Sequence, residues 1–346
     1  MRELDQIILE DVHRLESHEK LEFNEFQKII ILGCSGMLGS YLMEALTLLF
    51  AKNNSPKKIV GISRKFSVHT RKLEKDFQNT LSLHTYDKVN QILSGSRNVL
   101  VIHCASPSSY QAISKDSIAA ISTNIELTLN ICKQLANIGG HVCFLSSGEV
   151  YGETARIPVT EESYSPIDHL SPRGLYPEIK KTAELILQTY SQNNENLNSS
   201  ILRVAHTFGP GLSVDDPRIF GVLVKSIVTT NTVFLNSDGS GIRTFMYSSD
   251  LLSAIHKVSK IPKFSYFNVA GKDSMSVKEF CNIAKLLFGT RIILNEISDD
   301  SVLRNLQIGK IDTTKIRATG WFPETTLEQA LRNTVASVRL RLDHNR

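Results

Sequence analysis

Tyr176 and Lys180 form a YxxxK pair. On a helix, residues four apart share one face and sit one turn from each other. A phenol that gains or loses a proton is the partner that hydride transfer at an oxygen-bearing carbon requires, and a neighbouring ammonium favours the phenolate. Lys180 can also hold the ribose of a nicotinamide. The pair gains meaning from Leu145-Ser146-Ser147-Gly148-Glu149-Val150-Tyr151-Gly152 upstream, which reads as the carboxyl end of a strand entering a loop. There Ser147 can turn a substrate oxygen toward Tyr176, and Glu149 can act as a base or anchor a hydroxyl. Tyr151 is expected to shape the pocket rather than react.

A hydride needs a carrier, and Gly33-Cys34-Ser35-Gly36-Met37-Leu38-Gly39 supplies a place for one. The loop follows the apolar run KIIIL and opens a helical pattern. Glycines there allow a tight turn and close approach of a pyrophosphate, while the helix N-terminus favours its charge. Gly33, Ser35, Gly36, Met37, Leu38 and Gly39 are the expected contacts, with Cys104, Ala105 and Ser106 beyond a later strand. Cofactors without a 2′-phosphate are commonly held by an acid about 20 residues after such a loop. No acid occurs between Pro56 and Leu73, and the second strand instead ends in Ser63 and Arg64. Ser63 can hydrogen-bond a 2′-phosphate and Arg64 can pair with it, so NADP is the expected cofactor, with NAD as the alternative.

These groups need a scaffold, and the pattern around them describes one. Short apolar strands at Lys58–Ser63, Asn98–Cys104, His141–Ser147, Ser199–Ala205 and Ser265–Val269 alternate with helical stretches such as Ser117–Ala136 and Glu178–Tyr190. This predicts an α/β Rossmann fold, a doubly wound parallel sheet with active groups beyond the carboxyl ends of its strands. A smaller C-terminal substrate-binding domain is expected from residues 209–241 and 271–340, including helices at Ile219–Thr229, Val277–Leu287 and Leu327–Val338. The main domain is placed at residues 28–208, with 242–270 able to return to it, Phe245–Lys257 included. Residues 1–27 read as a helical extension with Ile7, Ile8, Val12 and Leu15 on its packing face and Asp11, Arg14 and Glu16 outside it.

Bulk properties narrow the class. The chain has 346 residues, 41% of them apolar and 21% charged, with a net charge of +4. That composition excludes general disorder, and no basic tract points to nucleic acid. The amino-terminal stretch is acid-rich and lacks the apolar core of a signal peptide, and no apolar run is long enough to span a bilayer. The five cysteines are widely spaced, with no CxxC pair, and the histidines have no ligand spacing. A reducing, cytoplasmic setting without structural metal is expected.

Over about residues 28–338 the sequence resembles the extended short-chain dehydrogenases/reductases of the NAD-dependent epimerase/dehydratase family. Gly33–Gly39 resembles the family's glycine loop, Ser147 its serine or threonine before VYG, and Tyr176 with Lys180 its catalytic pair. Arg203-Val204-Ala205-His206-Thr207-Phe208-Gly209-Pro210-Gly211 resembles the passage into the substrate domain, and GWFPETTLEQAL the carboxyl-terminal signature. Arg243 resembles the arginine that meets the diphosphate or sugar, and Arg218 is a second candidate for the diphosphate. His206 stands where asparagine is usual and is expected at the sugar or base. Gly148 replaces the acid that sugar 4,6-dehydratases present beside the glutamate, which argues against water elimination.

Two branches compete. PRGLYPEIKKTAE with Glu149 and Arg243 resembles UDP-glucuronate decarboxylases, whereas HCASPSSY and GPGLSVDDPRIFGVLV resemble dTDP-4-dehydro-6-deoxyglucose reductases. Ser63 and Arg64 favour reduction of a C4 ketone on a nucleoside-diphosphate sugar by NADPH. Decarboxylation or 4-epimerisation with tightly held NAD is the alternative, and a catalytically silent cofactor-binding protein the reading from another class. The resemblance also implies a homodimer, formed through the helices at Ser117–Ala136 and Glu178–Tyr190.

Overall fold

A computed structural model describes residues 3–107, 110–152, 158–171, 173–235, 237–294 and 309–343. Its strands are β1 (Lys28–Leu32), β2 (Lys58–Ile62), β3 (Leu81–His84), β4 (Val99–His103), β5 (Gly140–Ser147), β6 (Leu197–Val204), β7 (His206–Phe208), β8 (Thr232–Leu235), β9 (Ile242–Tyr247), β10 (Phe264–Val269), β11 (Ser274–Ser276) and β12 (Arg291–Leu294). Its α-helices are α1 (Glu3–His18), α2 (Met37–Lys52), α3 (Val68–Asp76), α4 (Val89–Leu93), α5 (Tyr110–Lys115), α6 (Ser117–Ile121), α7 (Leu127–Ile138), α8 (Leu175–Asn193), α9 (Ile219–Thr229), α10 (Ser248–Val258), α11 (Val277–Phe288), α12 (Thr314–Arg317) and α13 (Leu327–Asp343).

Seven strands form one sheet in the order β10-β6-β5-β4-β1-β2-β3, and every neighbouring pair is parallel. This is the Rossmann arrangement. The strand order reverses between β1 and β4, where a crevice opens for ligands. β1 shows why the strands read as continuous apolar runs: Ile29 and Ile31 enter one core while Ile30 and Leu32 enter the other. Helices cover both faces, so alternation with polar residues would expose nothing useful to water.

The later chain divides between sheets. β10 returns to the main sheet beside β6, in register from Phe264 opposite Ser199 to Val269 opposite Val204. β9 does not, although the sequence left that open for the Phe245–Lys257 stretch. It pairs in parallel with β7 and antiparallel with β11 in a separate three-stranded sheet, while α10 packs beside α1 and α2. β8 and β12 make a further two-stranded sheet. A third core fills this region, with Phe245 and Phe280 stacked at 4.2 Å between ring centroids.

Three elements differ from the sequence expectation. The Ser117–Ala136 helix is broken by a π turn at Ser122–Glu126 that separates α6 from α7. β3, with its LSLH alternation, is the edge strand of the main sheet and gave too short a signal to be read. On α1, Ile8, Val12 and Leu15 are buried as expected, but so is Asp11, at 2% exposure. Four hydrogen-bond donors around it make that burial tolerable.

Candidate active site

The glycine loop joins β1 to α2 at the switch point. Gly33 adopts φ +78°, and a Cβ there would lie 2.7 Å from the Ala105 backbone. A Cβ at Gly39 would lie 2.3 Å from the Gly33 carbonyl oxygen. Gly36 caps α2 without a side-chain hydrogen bond, which leaves the amides of the first turn to an anion. A dinucleotide therefore fits the loop, with Met37 and Leu38 in that same turn. Cys104, Ala105 and Ser106 leave β4 directly against Gly33, and the Cys104 amide donates to the Leu32 carbonyl at 2.9 Å.

The two residues expected at a 2′-phosphate are otherwise engaged. Ser63 is buried and its hydroxyl hydrogen-bonds that of Ser35. Arg64 is exposed and pairs with Asp116 at 3.3 Å, the residue that caps α6.

Ser147 ends β5, and Glu149 lies in the 3₁₀ turn Gly148–Tyr151 that follows. Tyr176 and Lys180 come from the first two turns of α8, so strand and helix deliver their groups to one place. The Ser147 hydroxyl acts on the Tyr176 phenol and accepts from the Glu149 amide at 3.2 Å. Burial and then the Glu149 charge push the Tyr176 phenol above its ordinary range, against the Ser147 hydroxyl. Lys180 is 2% exposed and donates to the Leu145 carbonyl at 2.8 Å. Burial pushes its ammonium down to about 7.

Glu149 faces a cationic wall. Burial raises its carboxyl, opposed by Arg173, Arg218 and Arg243. Arg243, on β9, is 7% exposed and donates to the Ile242 carbonyl at 2.8 Å. No carboxylate forms an ion pair with it among the described residues, so a buried guanidinium stands ready for an anion. Arg218 is less available, since Asp216 grips it in two-point fashion with a closest approach of 2.6 Å. His206, which opens β7, is pushed down to about 3 by burial, then by Arg243 and Arg218. Its buried Nε2 has no hydrogen-bond partner among the described residues, so a neutral imidazole edge sits near both arginines.

Several contributors escaped the sequence reading. Arg173, three residues before Tyr176, is the arginine acting most strongly on Glu149. Asn124 lies wholly buried in the π turn and donates to Ser106 at 3.0 Å and to the Ala120 carbonyl at 2.8 Å. A polar asparagine inside an apolar helical stretch was the available signal for it. Behind the reacting groups runs a buried chain of hydrogen bonds. Ser146 donates to Glu184 at 2.5 Å, Glu184 holds Arg203 at 2.7 Å, Arg203 donates to Tyr151 at 3.1 Å, and Tyr151 donates to Asn268 at 2.5 Å. This ties the end of β5 to α8, β6 and β10, which fixes where Ser147 stands.

The backbone resembles solved nucleotide-sugar enzymes. A UDP-glucose 4-epimerase from Thermotoga maritima, solved with UDP-glucose, superposes with a TM-score of 0.76 at 21% identity, covering 91% of this chain and 99% of that one. A UDP-glucuronic acid 4-epimerase from Bacillus cereus, in complex with UDP-glucuronic acid and NAD, gives 0.72 at 20% identity over 90% and 99%. Among curated proteins, UDP-glucuronic acid decarboxylase 1 of Xenopus tropicalis is 25% identical over 322 residues, 92% of this chain and 73% of that protein. UDP-glucuronic acid decarboxylase 6 of Arabidopsis thaliana is 22% identical over 325 residues, 92% and 91% of the two chains. Residues 29–270 match the family model described as the NAD dependent epimerase/dehydratase family, and this chain belongs to that family.

Proposed function

We propose that this protein acts on a nucleoside-diphosphate sugar acid, in the manner of a UDP-glucuronate decarboxylase, with NAD held in the glycine loop. The observation that carries the proposal is Arg243, buried at 7% exposure with only the Ile242 carbonyl as its acceptor among the described residues, in the same electrostatic neighbourhood as Glu149, Arg173 and Arg218. A diphosphate and a sugar carboxylate are both anions, and an arginine-rich wall suits a ligand bearing both. The curated relatives named above point the same way.

Gly33, Gly36, Gly39 and the first turn of α2 would hold the cofactor's diphosphate, with Cys104–Ser106 alongside and Lys180 at the nicotinamide ribose. NAD bound there would supply the acceptor, and later the donor, of a hydride at the sugar C4. Tyr176 takes the proton from the C4 hydroxyl and later returns it, and Ser147 holds the same oxygen as its charge changes. A carbonyl at C4 is β to the carboxylate, so the C5–C6 bond can break, its electron pair drawn into that carbonyl as carbon dioxide leaves; the resulting enolate takes a proton from water at C5, and the C4 ketone is then reduced by the returning hydride. Arg243 binds anionic substrate groups, Glu149 anchors a sugar hydroxyl or moves its proton, and His206 lines the sugar or base pocket. Arg218, held by Asp216, takes a lesser share of the diphosphate. On this reading residues 28–205 with 248–270 carry the cofactor, and 206–247 with 271–340, β7 included, carry the nucleotide sugar.

Reduction by NADPH takes second place. It depended on Ser63 and Arg64, and their bonds to Ser35 and Asp116 weaken that support. The deciding experiment is mass spectrometry of the purified protein and of its products with UDP-glucuronate. Retained NAD, released carbon dioxide and a UDP-pentose are expected. An isomeric UDP-hexuronate without carbon dioxide would move the assignment to a 4-epimerase. Turnover only of a 4-keto-6-deoxy nucleotide sugar with NADPH would restore the reductase.

A further inference from the structure

α1 lies ahead of residues 29–270, the stretch that defines the family, yet it is built into the molecule through a buried acid. Asp11 accepts hydrogen bonds from the Tyr247 hydroxyl at 2.7 Å, the Tyr41 hydroxyl at 3.1 Å, Arg14 at 3.1 Å and Asn333 at 3.4 Å. Both tyrosines are about 1% exposed, and their rings meet edge to face at 6.4 Å. Asn333 also donates to the Tyr247 hydroxyl at 3.3 Å, and Arg14 reaches on to Ser249 at 2.8 Å. Burying a carboxylate is costly unless its oxygens are filled, and here they are filled from separate parts of the molecule. Packing α1 needed only its apolar face, so the acid has another consequence.

That consequence follows from where the donors sit. Tyr41 belongs to α2, the helix that the glycine loop opens. Tyr247 closes β9, the strand that carries Arg243. Asn333 belongs to α13, which packs on α9 and β9. We propose that Asp11 is a positioning residue: by gathering Tyr41 and Tyr247 on one carboxylate, it fixes the spacing between the cofactor's diphosphate cradle and the arginine that receives the nucleotide sugar. The proposal rests on the nucleotide-sugar reading of Arg243. It assigns α1 a part in substrate affinity that hydrophobic docking would not give it.

The test compares full-length variants by calorimetric titration with UDP, steady-state kinetics with UDP-glucuronate, cofactor content and Tm. Tyr247→Phe removes one hydroxyl and keeps the ring in place. It should weaken UDP binding about tenfold while leaving kcat within about twofold and cofactor content unchanged. Tyr41→Phe should instead lower cofactor retention. Asp11→Asn keeps one acceptor oxygen and should restore part of what Asp11→Ala loses. Val12→Ala loosens the apolar face of α1 alone and should lower Tm without changing UDP affinity. Equal losses of UDP affinity in Val12→Ala and Tyr247→Phe would overturn the proposal, reducing α1 to a packing element. So would unchanged affinity in Tyr247→Phe when Arg243→Ala binds UDP poorly. Unchanged affinity in Arg243→Ala would overturn the nucleotide-sugar reading itself, and the positioning role with it.

Discussion

Tyr176→Phe keeps the ring beside Ser147 and removes only the proton carrier. The variant should lose about 10²–10⁴-fold in kcat, with affinity for the nucleotide sugar nearly unchanged. Stopped-flow kinetics and titration together check both halves of that statement. A second residue-scale expectation concerns acid stability. His141 is 1% exposed, hydrogen-bonded to Ser200 at 3.0 Å, and pushed down to about 3 by burial. Between pH 6.5 and 3 the unfolded chain binds a proton there that the folded chain refuses. The unfolded state then carries more protons, so stability rises with pH across that window and falls on acidification. Each such histidine contributes a slope of about 1.4 kcal/mol per pH unit. His103, wholly buried and also held near 3, acts in the same direction. Urea unfolding from pH 4 to 6 should show His141→Gln with a slope lower by one proton's worth, and an unchanged slope would refute the assignment.

At the scale of elements, the loop between β1 and α2 bears on cofactor binding most directly. Gly33→Ala would force a side chain into a positive-φ position and against the Ala105 backbone at 2.7 Å. The loop must shift, so the purified variant should lose its cofactor while its far-ultraviolet circular dichroism stays native. Much of this level was legible beforehand. Strands buried on both faces announce themselves as runs such as Lys28–Leu32, and α9 was placed at Ile219–Thr229 because its apolar period is clean. The position of Ser147, Tyr176 and Lys180 was legible too, because they sit where a strand end and a helix start are marked by the sequence itself. What escaped depends on partners remote in the chain. β7 has three residues and becomes a strand only by pairing with β9. Asp11 reads as solvent-facing until Tyr41 and Tyr247 are seen beside it. Ser63 and Arg64 read as a phosphate clamp because Ser35 and Asp116 lie 28 and 52 residues away along the chain.

At the scale of the whole molecule, two open apolar side chains on the contacting helices α6 and α8 stand out. Ile118 is 78% exposed and Leu185 61% exposed on these adjacent helices. Large apolar side chains left so open fit an interface between two copies of the chain, the homodimer that the family resemblance implies. Leu185→Glu should convert a dimer to a monomer in sedimentation velocity; a sedimentation coefficient unchanged from the parent would remove that helix from the interface.

α1 and α13, near opposite ends of the chain, pack against each other, and Asn333 reaches Asp11 directly. The polypeptide is thus fastened into a loop before any ligand arrives. A ribosome releases α1 early, but its buried acid has no complete set of donors until α13 emerges more than three hundred residues later. Until those donors are in place water satisfies the Asp11 carboxylate, so it is the burial of this acid that waits on the later chain. Closure of the loop between α1 and α13 therefore follows the synthesis of α13.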